Sequence, residues 1–537
     1  MHNRSKRAAL VLSVLALVII TGALVYRHNL AVYTASLDTR MFNAGVVGPV
    51  KATEPAPALS DAEKLIASII YEGLVRYDEK SGEIKPLLAK SWSYSKDGRI
   101  LTINLKKNLK FSNGKKVTAQ AVKDAWENNF STAADWYNIS LFLSITGAKE
   151  RVDGKSTEIS GIHVVNTQTL KIELVKPNAV FIHMLVNPIF DVVETSEKDK
   201  PVGTGPFVLK DKKEGNLVLV RNEQYHRGLP RLSALNINVY ENAEAAYKDY
   251  QAGKLDYLDA VPFSAISSIK KSTEYKKLFI NRPLLETYSL GFNNSREPYS
   301  QSYLLRRALN YAIDRQKIID NVFGGAYLPL KGVVPSGIPG YDAHLRGYAY
   351  NKEKALQLLD EAGYPNGQGL PILTLSYNSD PGHKEVAEAV AAQLGDLGIQ
   401  VQTLAMDWTY YQKQLAAMSM SFFRIGWEAD YPDADSFLYS LQHSTLIGLS
   451  NYCGYQNSQV DKLLDRSRRQ FSNQEERYQA LIQAEQIIID DAPSLWLFQK
   501  QTAKLVSKQV NALEINPLNQ IEWYKVELKK PGLEEKT

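Results

Sequence analysis

The stretch from Pro371 to Met406, PILTLSYNSDPGHKEVAEAVAAQLGDLGIQVQTLAM, predicts a strand, a helix and a second strand in that order. The helix is indicated by apolar residues that recur every three to four positions, at Val386, Val390, Leu394 and Leu397. Gly398 is a good C-terminal stop, and a strand begins at Ile399. Such a unit builds a parallel sheet with binding sites at the carboxyl ends of its strands, so the stretch predicts an α/β fold.

The same mixture of elements continues on both sides of this unit. Apolar residues alternate at Leu101, Ile103 and Leu105, which predicts a strand, and similar alternation recurs at 169–177 and 232–240. Helical spacing is found at 302–323, SYLLRRALNYAIDRQKIIDNVF, and at 473–493, where the helix is expected to end before Pro493.

Length and composition limit the class of protein. A chain of 537 residues is too long for one hydrophobic core, so two or three domains or one split architecture are expected. The formal charge of +5 is small for this length and indicates no nucleic-acid partner. The 30 Tyr and 7 Trp residues combine a large apolar surface with a polar tip and suit binding surfaces.

Enzyme and metal motifs are absent from the sequence. Cys453 is the only cysteine, which excludes an intramolecular disulfide and a cysteine-based metal cluster. No HExxH, GxSxG or GxxxxGK[ST] motif occurs, and the eight His residues are scattered. We therefore expect no catalytic residues, no metal and no cofactor. A carboxylate pair for glycoside hydrolysis stays open, and a secreted hydrolase is the alternative.

The N-terminus predicts a membrane-directed segment at residues 1–30. An uncharged apolar run from Ala8 to Tyr26 follows a cationic start and precedes Arg27. A helix of that length spans roughly 28 Å, close to the hydrocarbon core of a bilayer. We favour an uncleaved anchor that leaves the bulk of the chain outside the cytoplasm, with release after signal cleavage as the alternative. Residues 31–60 are expected to be a linker, because 43–60 is rich in Gly, Ala and Pro and has no apolar period.

Several motifs, in order, resemble one family. They are the Glu-Gly-Leu, Leu-Ala-x-Ser-Trp and Phe-Ser-Asn-Gly motifs within 71–127, VGTGPFVLK at 202–210, LRRALNYAIDRQKII at 305–319, LLDEAGYPNG at 358–367 and GWEADYPDADSFL at 426–438. Together they resemble bacterial extracellular solute-binding protein family 5, the oligopeptide- and dipeptide-binding components of ABC importers. The resemblance covers roughly residues 60–525.

The resemblance implies a bilobal, periplasmic-binding-protein-like α/β clamp of the large peptide-binding class (type II) with an extra inserted domain. The implied ranges are 61–85 with 201–283 and 503–530 for lobe I, 86–200 for the inserted domain and 284–502 for lobe II. The implied partners are a peptide ligand and the permease and ATPase subunits of an importer. Hinge closure around the ligand is the expected motion.

The resemblance also assigns ligand contacts. Asp430 matches an aspartate that holds the ligand's α-ammonium, and Arg424 an arginine that holds the ligand's carboxylate in oligopeptide binders. Trp408 resembles a tryptophan that lines the pocket, and Glu72 a carboxylate that faces the same cavity.

If 424–430 is extended, alternation places Arg424, Gly426, Glu428 and Asp430 on one face and Trp427 on the other. Gly426 would leave the strand backbone open for edge-to-edge pairing with a peptide. As an alternative, Arg424 pairs with Glu428 or Asp430. Asp433 and Asp435 follow Pro432 and are expected to cap a helix.

The predicted function is therefore capture of peptides, expected to be short oligopeptides, outside the cytoplasm for an ABC importer, without catalysis. Within the same fold the ligand can instead be an oligosaccharide, an opine or a nickel chelate. A sensor or chaperone that uses the same clamp is a further alternative.

Overall fold

The computed structural model describes residues 38–58, 60–132, 136–197, 200–469 and 472–529. The predicted signal or anchor at residues 1–30 lies outside the described residues. Within the ranges given, none of the helices combines the length and the apolar character needed to cross a bilayer.

Strands and helices alternate along the described chain, as expected for an α/β protein. The strands are β1 Asp38–Val47, β2 Val75–Asp78, β3 Glu83–Pro86, β4 Ala89–Tyr94, β5 Ile100–Leu105, β6 Ile162–Asn166, β7 Thr169–Glu173, β8 Phe207–Lys213, β9 Asn216–Arg221, β10 Leu232–Tyr240, β11 Tyr257–Leu258, β12 Phe279–Ile280, β13 Pro283–Phe292, β14 Leu328–Pro329, β15 Leu373–Asn378, β16 Val401–Met406, β17 Phe422–Glu428, β18 Ser494–Gln501, β19 Lys504–Val506, β20 Val510–Asn511 and β21 Glu527–Leu528. The helices are α1 Asp61–Ile70, α2 Ala119–Thr132, α3 Trp136–Phe142, α4 Ala148–Val152, α5 Phe181–Met184, α6 Ala243–Gln251, α7 Phe263–Lys271, α8 Tyr303–Tyr311, α9 Arg315–Phe323, α10 Lys352–Glu361, α11 Pro381–Gly395, α12 Trp408–Ala416, α13 Asp435–Gln442, α14 Ser458–Arg469 and α15 Gln474–Asp491.

Three larger sheets organise these elements. A seven-stranded sheet has the order β12-β19-β11-β1-β10-β9-β8, and a six-stranded sheet has the order β14-β18-β13-β17-β15-β16. A four-stranded antiparallel sheet, β4-β5-β7-β6, lies within the range predicted as the inserted domain. The predicted domain boundaries themselves stay a prediction.

The strand-helix-strand unit at 371–406 is confirmed. Strand β15, helix α11 and strand β16 follow one another, and the two strands pair in parallel from Leu373↔Val401 to Asn378↔Met406. Gly398 ends the helical region with a φ of 82°, a left-handed conformation that glycine adopts at little cost.

The predicted linker at 31–60 is wrong for its first described part. Residues Asp38–Val47 form β1, which pairs in parallel with β10 and β11 inside the seven-stranded sheet. Phe42, Ala44 and Val46 are fully buried there. A buried parallel strand shows no strong apolar/polar alternation, and the small residues of this one hid it further. Residues 48–58, by contrast, contain turns and irregular structure.

Two short connections join the seven-stranded and six-stranded sheets. The chain passes from β12 to β13 at Asn281–Arg282 and returns from β18 to β19 at Thr502–Ala503. The connections lie side by side, because the Thr502 N–H donates to the Arg282 carbonyl at 2.8 Å and the Arg282 N–H donates to Thr502 Oγ1 at 2.9 Å. A pair of adjacent crossings is suited to act as a hinge.

Candidate ligand-binding cleft

A cavity of about 810 Å³ lies between helix α1, which packs on β8 of the seven-stranded sheet, and β17 of the six-stranded sheet. Helix α1 and the segment 184–189 line it from one side, and residues 426–431 with Trp408 line it from the other. This volume is in the range of pockets that hold small organic ligands. Among the described residues, no three His, Cys, Asp or Glu side chains cluster as metal ligands would.

Helix α1 presents one mainly polar face to the cavity. Its start is fixed by a capping box, in which Ser60 Oγ accepts from the Glu63 N–H and the Glu63 carboxylate accepts from the Ser60 N–H. The lining residues share the spacing of one helix face and are Asp61, Lys64, Leu65 and Ser68. This face was not predicted, although its spacing is visible in SDAEKLIAS at residues 60–68.

Strand β17 borders the cavity with an incompletely paired edge. Strand β13 accompanies it from Phe422 to Glu428, whereas β15 pairs only with Phe422 and Phe423. The Ala429 N–H donates to the carbonyl of Leu285 in β13, so antiparallel alternation turns the backbone groups of Gly426 and Glu428 to the opposite edge. Both residues line the cavity. The backbone there is placed to pair with an extended ligand.

Arg424 and Gly426 lie on the same face of β17, with Trp427 on the other. A β-carbon at Gly426 would lie 2.6 Å from Arg424 Nη2, so the glycine makes room for the guanidinium. The Trp427 side chain is buried, and its indole N–H donates to the Ser436 carbonyl at 2.9 Å. The guanidinium carbon of Arg424 is 5.2 Å from the centroid of the Tyr288 ring.

Arg424 itself is not among the residues that line the cavity. Within the part of the chain that the structure describes, it has no carboxylate at ion-pair distance, and its Nε is buried without a hydrogen-bond partner. The alternative in which Arg424 pairs with Glu428 is not what the structure shows, because Glu428 pairs with Lys64 at 2.5 Å.

Asp430 lines the cavity just beyond the end of β17 and is 7% exposed. Its N–H donates to Ser436 Oγ at 3.0 Å, and its carbonyl accepts from Asn187 Nδ2 at 3.2 Å. The backbone of this residue is therefore held both by helix α13 and by the opposite wall.

The expectation that Asp433 and Asp435 mainly cap a helix is wrong, although a helix does start at Asp435. Ala434, the residue before α13, makes no side-chain capping hydrogen bond. Asp433 makes one such bond in the described structure, in which its carboxylate accepts from the Asp435 N–H. Both carboxylates are fully buried and paired, Asp433 with Arg477 and Asp435 with Arg468. These partners are distant in sequence, so local spacing did not indicate them.

The two remaining predicted site residues are placed differently from each other. Trp408 begins α12, lines the cavity and is 51% exposed. Glu72 is not part of the cavity lining. Its carboxylate instead accepts from the Tyr225 hydroxyl at 2.6 Å and lies 2.7 Å from His226 Nε2.

Additional charged residues of the cavity wall were not anticipated. They include Lys176, Asp465, Arg468 and Arg469. The sequence holds 63 basic residues, and no local pattern sets these apart from residues on a solvated surface.

The fold and the cleft together define a solute-binding protein with an α/β architecture. The chain belongs to the bacterial extracellular solute-binding proteins, family 5, whose middle region matches residues 83–448. The predicted family is confirmed, and with it the prediction of a binding protein rather than an enzyme.

Individual relatives match over most of the chain. The oligopeptide-binding protein OppA of Bacillus subtilis is 30% identical over 79% of this chain and 81% of its own. Heme-binding protein A of Haemophilus influenzae is 30% identical over 79% of this chain and 80% of its own. The unliganded open form of the periplasmic murein tripeptide-binding protein MppA superimposes with a TM-score of 0.77 and 27% identity, covering 92% of this chain and 98% of that one.

Proposed function

We propose that the protein captures short peptides outside the cytoplasm and delivers them to the permease of an ABC importer whose ATPase subunits supply the energy. Family membership supports the solute-binding role. The names of two similar proteins, an oligopeptide-binding protein and a murein tripeptide-binding protein, support a peptide as the solute. The N-terminal segment would tether the protein to the membrane or be removed after export.

The observation that carries the proposal is the open edge of β17 beside the cavity. Backbone groups of Gly426 and Glu428 point away from β13, and β15 has already ended its pairing at Phe423. An extended peptide added at this edge would gain main-chain hydrogen bonds that do not depend on its sequence. This accounts for binding of peptides with varied side chains.

We further propose roles for the predicted site residues. Asp430 would hold the peptide ammonium, a charge-assisted bond worth roughly 1.5–3 kcal/mol when shielded from water. Arg424, which has no carboxylate at ion-pair distance in the described chain, would receive the peptide carboxylate. Trp408 would pack on a ligand side chain, and Glu72 would brace Tyr225 and His226.

Native mass spectrometry of the exported part, purified from cell extract, tests the proposal. We expect a ladder of short-peptide masses bound to the protein. A single non-peptide mass would overturn it. A heme mass with its visible absorbance is the specific competitor, because one relative is named a heme-binding protein.

A further inference from the structure

Four charged side chains form two ion pairs beside the cavity at the end of β17, close to the Asp61 carboxylate. Lys64 pairs with Glu428 at 2.5 Å, and Lys500 pairs with Glu286 at 2.8 Å. Glu286 and Glu428 stand directly opposite each other on β13 and β17. Like charges in this position repel, so each carboxylate depends on its own lysine.

The two lysines come from different places. Lys500 belongs to β18, a strand of the same six-stranded sheet as the two carboxylates. Lys64 belongs to helix α1, on the opposite side of the cavity. The Lys64–Glu428 pair therefore spans the cleft, whereas the Lys500–Glu286 pair does not.

A ligand can reach the pair that spans the cleft. Lys64 and Glu428 both line the cavity, and their side chains are 36% and 47% exposed. Burial works to lower the pKa of Lys64, but Glu428 and Asp61 outweigh it and hold the pKa above its usual value, so the ammonium persists at neutral pH. Burial raises the pKa of Glu428, and Lys64 opposes that rise.

We propose that Lys64 is a specificity-determining residue. Its ammonium occupies the position on Glu428 that a cationic ligand side chain would otherwise take, and it thereby determines which side-chain charge the protein binds at this position. The inference rests on the proposed peptide-binding function. Glu428 precedes Asp430 by two residues, roughly 7 Å along an extended strand. When the peptide ammonium binds Asp430, the side chain of the second or third ligand residue contacts the Lys64–Glu428 pair.

Each class of side chain meets the pair differently. A neutral side chain leaves the Lys64–Glu428 pair intact. A cationic side chain has to displace Lys64 from Glu428, and an acidic one has to draw Lys64 away. The natural protein therefore prefers a neutral side chain at this position.

Calorimetry with pentapeptides tests the inference. The set is Ala-Xaa-Ala-Ala-Ala and Ala-Ala-Xaa-Ala-Ala, in which Xaa is Ala, Lys or Glu. In Lys64→Met, the affinity for Lys peptides should rise roughly ten-fold relative to the affinity for the Ala peptide, which is the size of one partly shielded charge-assisted bond. In Glu428→Gln, the affinity for Glu peptides should rise by a similar factor.

Two further variants serve as controls. Lys64→Arg keeps the charge and should keep the natural ranking. Lys462→Met removes an exposed lysine of α14 that does not line the cavity, and it should also leave the ranking unchanged. The melting temperature of each variant shows that it is folded.

The outcomes separate this inference from the proposed function. The inference is overturned if the natural protein, Lys64→Met and Glu428→Gln all bind the peptides with the same charge ranking. That result leaves peptide capture standing. Failure of the whole peptide set to bind the natural protein overturns both.

Discussion

Arg477 forms a buried ion pair with Asp433, 44 residues away, with Nη1 3.0 Å from Oδ1 and a second, shorter contact between Nη2 and Oδ2. The two side chains are 1% and 0% exposed. A second pair joins Arg468 to Asp435, with Nη2 2.7 Å from Oδ2. The two pairs tie the loop that follows Asp430 to helices α14 and α15, so the proposed ammonium site stands on a fixed support.

Replacing Arg477 by Met should destabilise the protein by about 3–5 kcal/mol, because it leaves the Asp433 carboxylate buried and unpaired. Urea denaturation followed by circular dichroism measures this loss. Arg466→Met, on the exposed face of α14, is the matched control and should change little. Adding Asp433→Asn to Arg477→Met should recover part of the stability. Equal stability of Arg477→Met and Arg466→Met would contradict the importance of the pair.

Asp430→Asn should weaken peptide binding by roughly ten-fold or more, because a neutral amide replaces the ammonium's charged partner. The melting temperature of the ligand-free protein should change little. Calorimetry with free and N-acetylated forms of one peptide makes the test specific. The acetylated peptide should bind the natural protein and the variant with similar affinity, and an unchanged affinity of the free peptide would remove Asp430 as the amine anchor.

Arg424→Ala should weaken the binding of peptides with a free carboxylate and spare their C-terminal amides. A loss of ligand contact has to be separated from a loss of structural support, since the guanidinium also lies over the Tyr288 ring and fills the space above Gly426. Calorimetry with the two peptide forms distinguishes a ligand contact from a structural brace. Equal losses for both forms would mean that Arg424 only supports the sheet.

The parts of the fold that were predicted correctly are those that show a local sequence pattern. The unit at 371–406 was predictable because its helix and strands each show their own period over adjacent residues. The shared face of Arg424 and Gly426 followed from strand alternation alone. In 302–323 the apolar stripe was correct, but α8 ends at Tyr311 and α9 starts after Asp314, whose side chain accepts from the Lys317 N–H as an N-cap.

The side-chain roles that were not predicted depend on interaction partners in distant segments of the chain. Glu428 had no explanation from its neighbours, because its partner Lys64 lies 364 residues away. Asp433 and Asp435 look like cap residues until Arg477 and Arg468 are folded against them. Strand β1 showed no apolar/polar alternation because apolar or small residues also occupy its second face, at Met41, Gly45 and Val47.

Glu485 of helix α15 gives a prediction about pH. It is 2% exposed, and its Oε1 accepts from the Val333 N–H at 3.0 Å and the Val334 N–H at 2.8 Å. Burial raises the pKa of this carboxyl from 4.5 to about 8 despite these bonds. Between these values the unfolded chain releases a proton that the folded protein keeps, so the free energy of unfolding should fall as the pH rises from 5 to 8.

Glu485→Gln should remove this part of the pH dependence, because the amide resembles the protonated carboxyl and does not ionise. Relative to the natural protein, the variant should gain about 3 kcal/mol of stability between pH 5 and pH 8. Urea denaturation at several pH values measures the difference. Glu475→Gln, the same change at an exposed position of α15, should follow the natural protein at every pH. Parallel pH profiles for Glu485→Gln and the natural protein would show that Glu485 is ionised in the folded state.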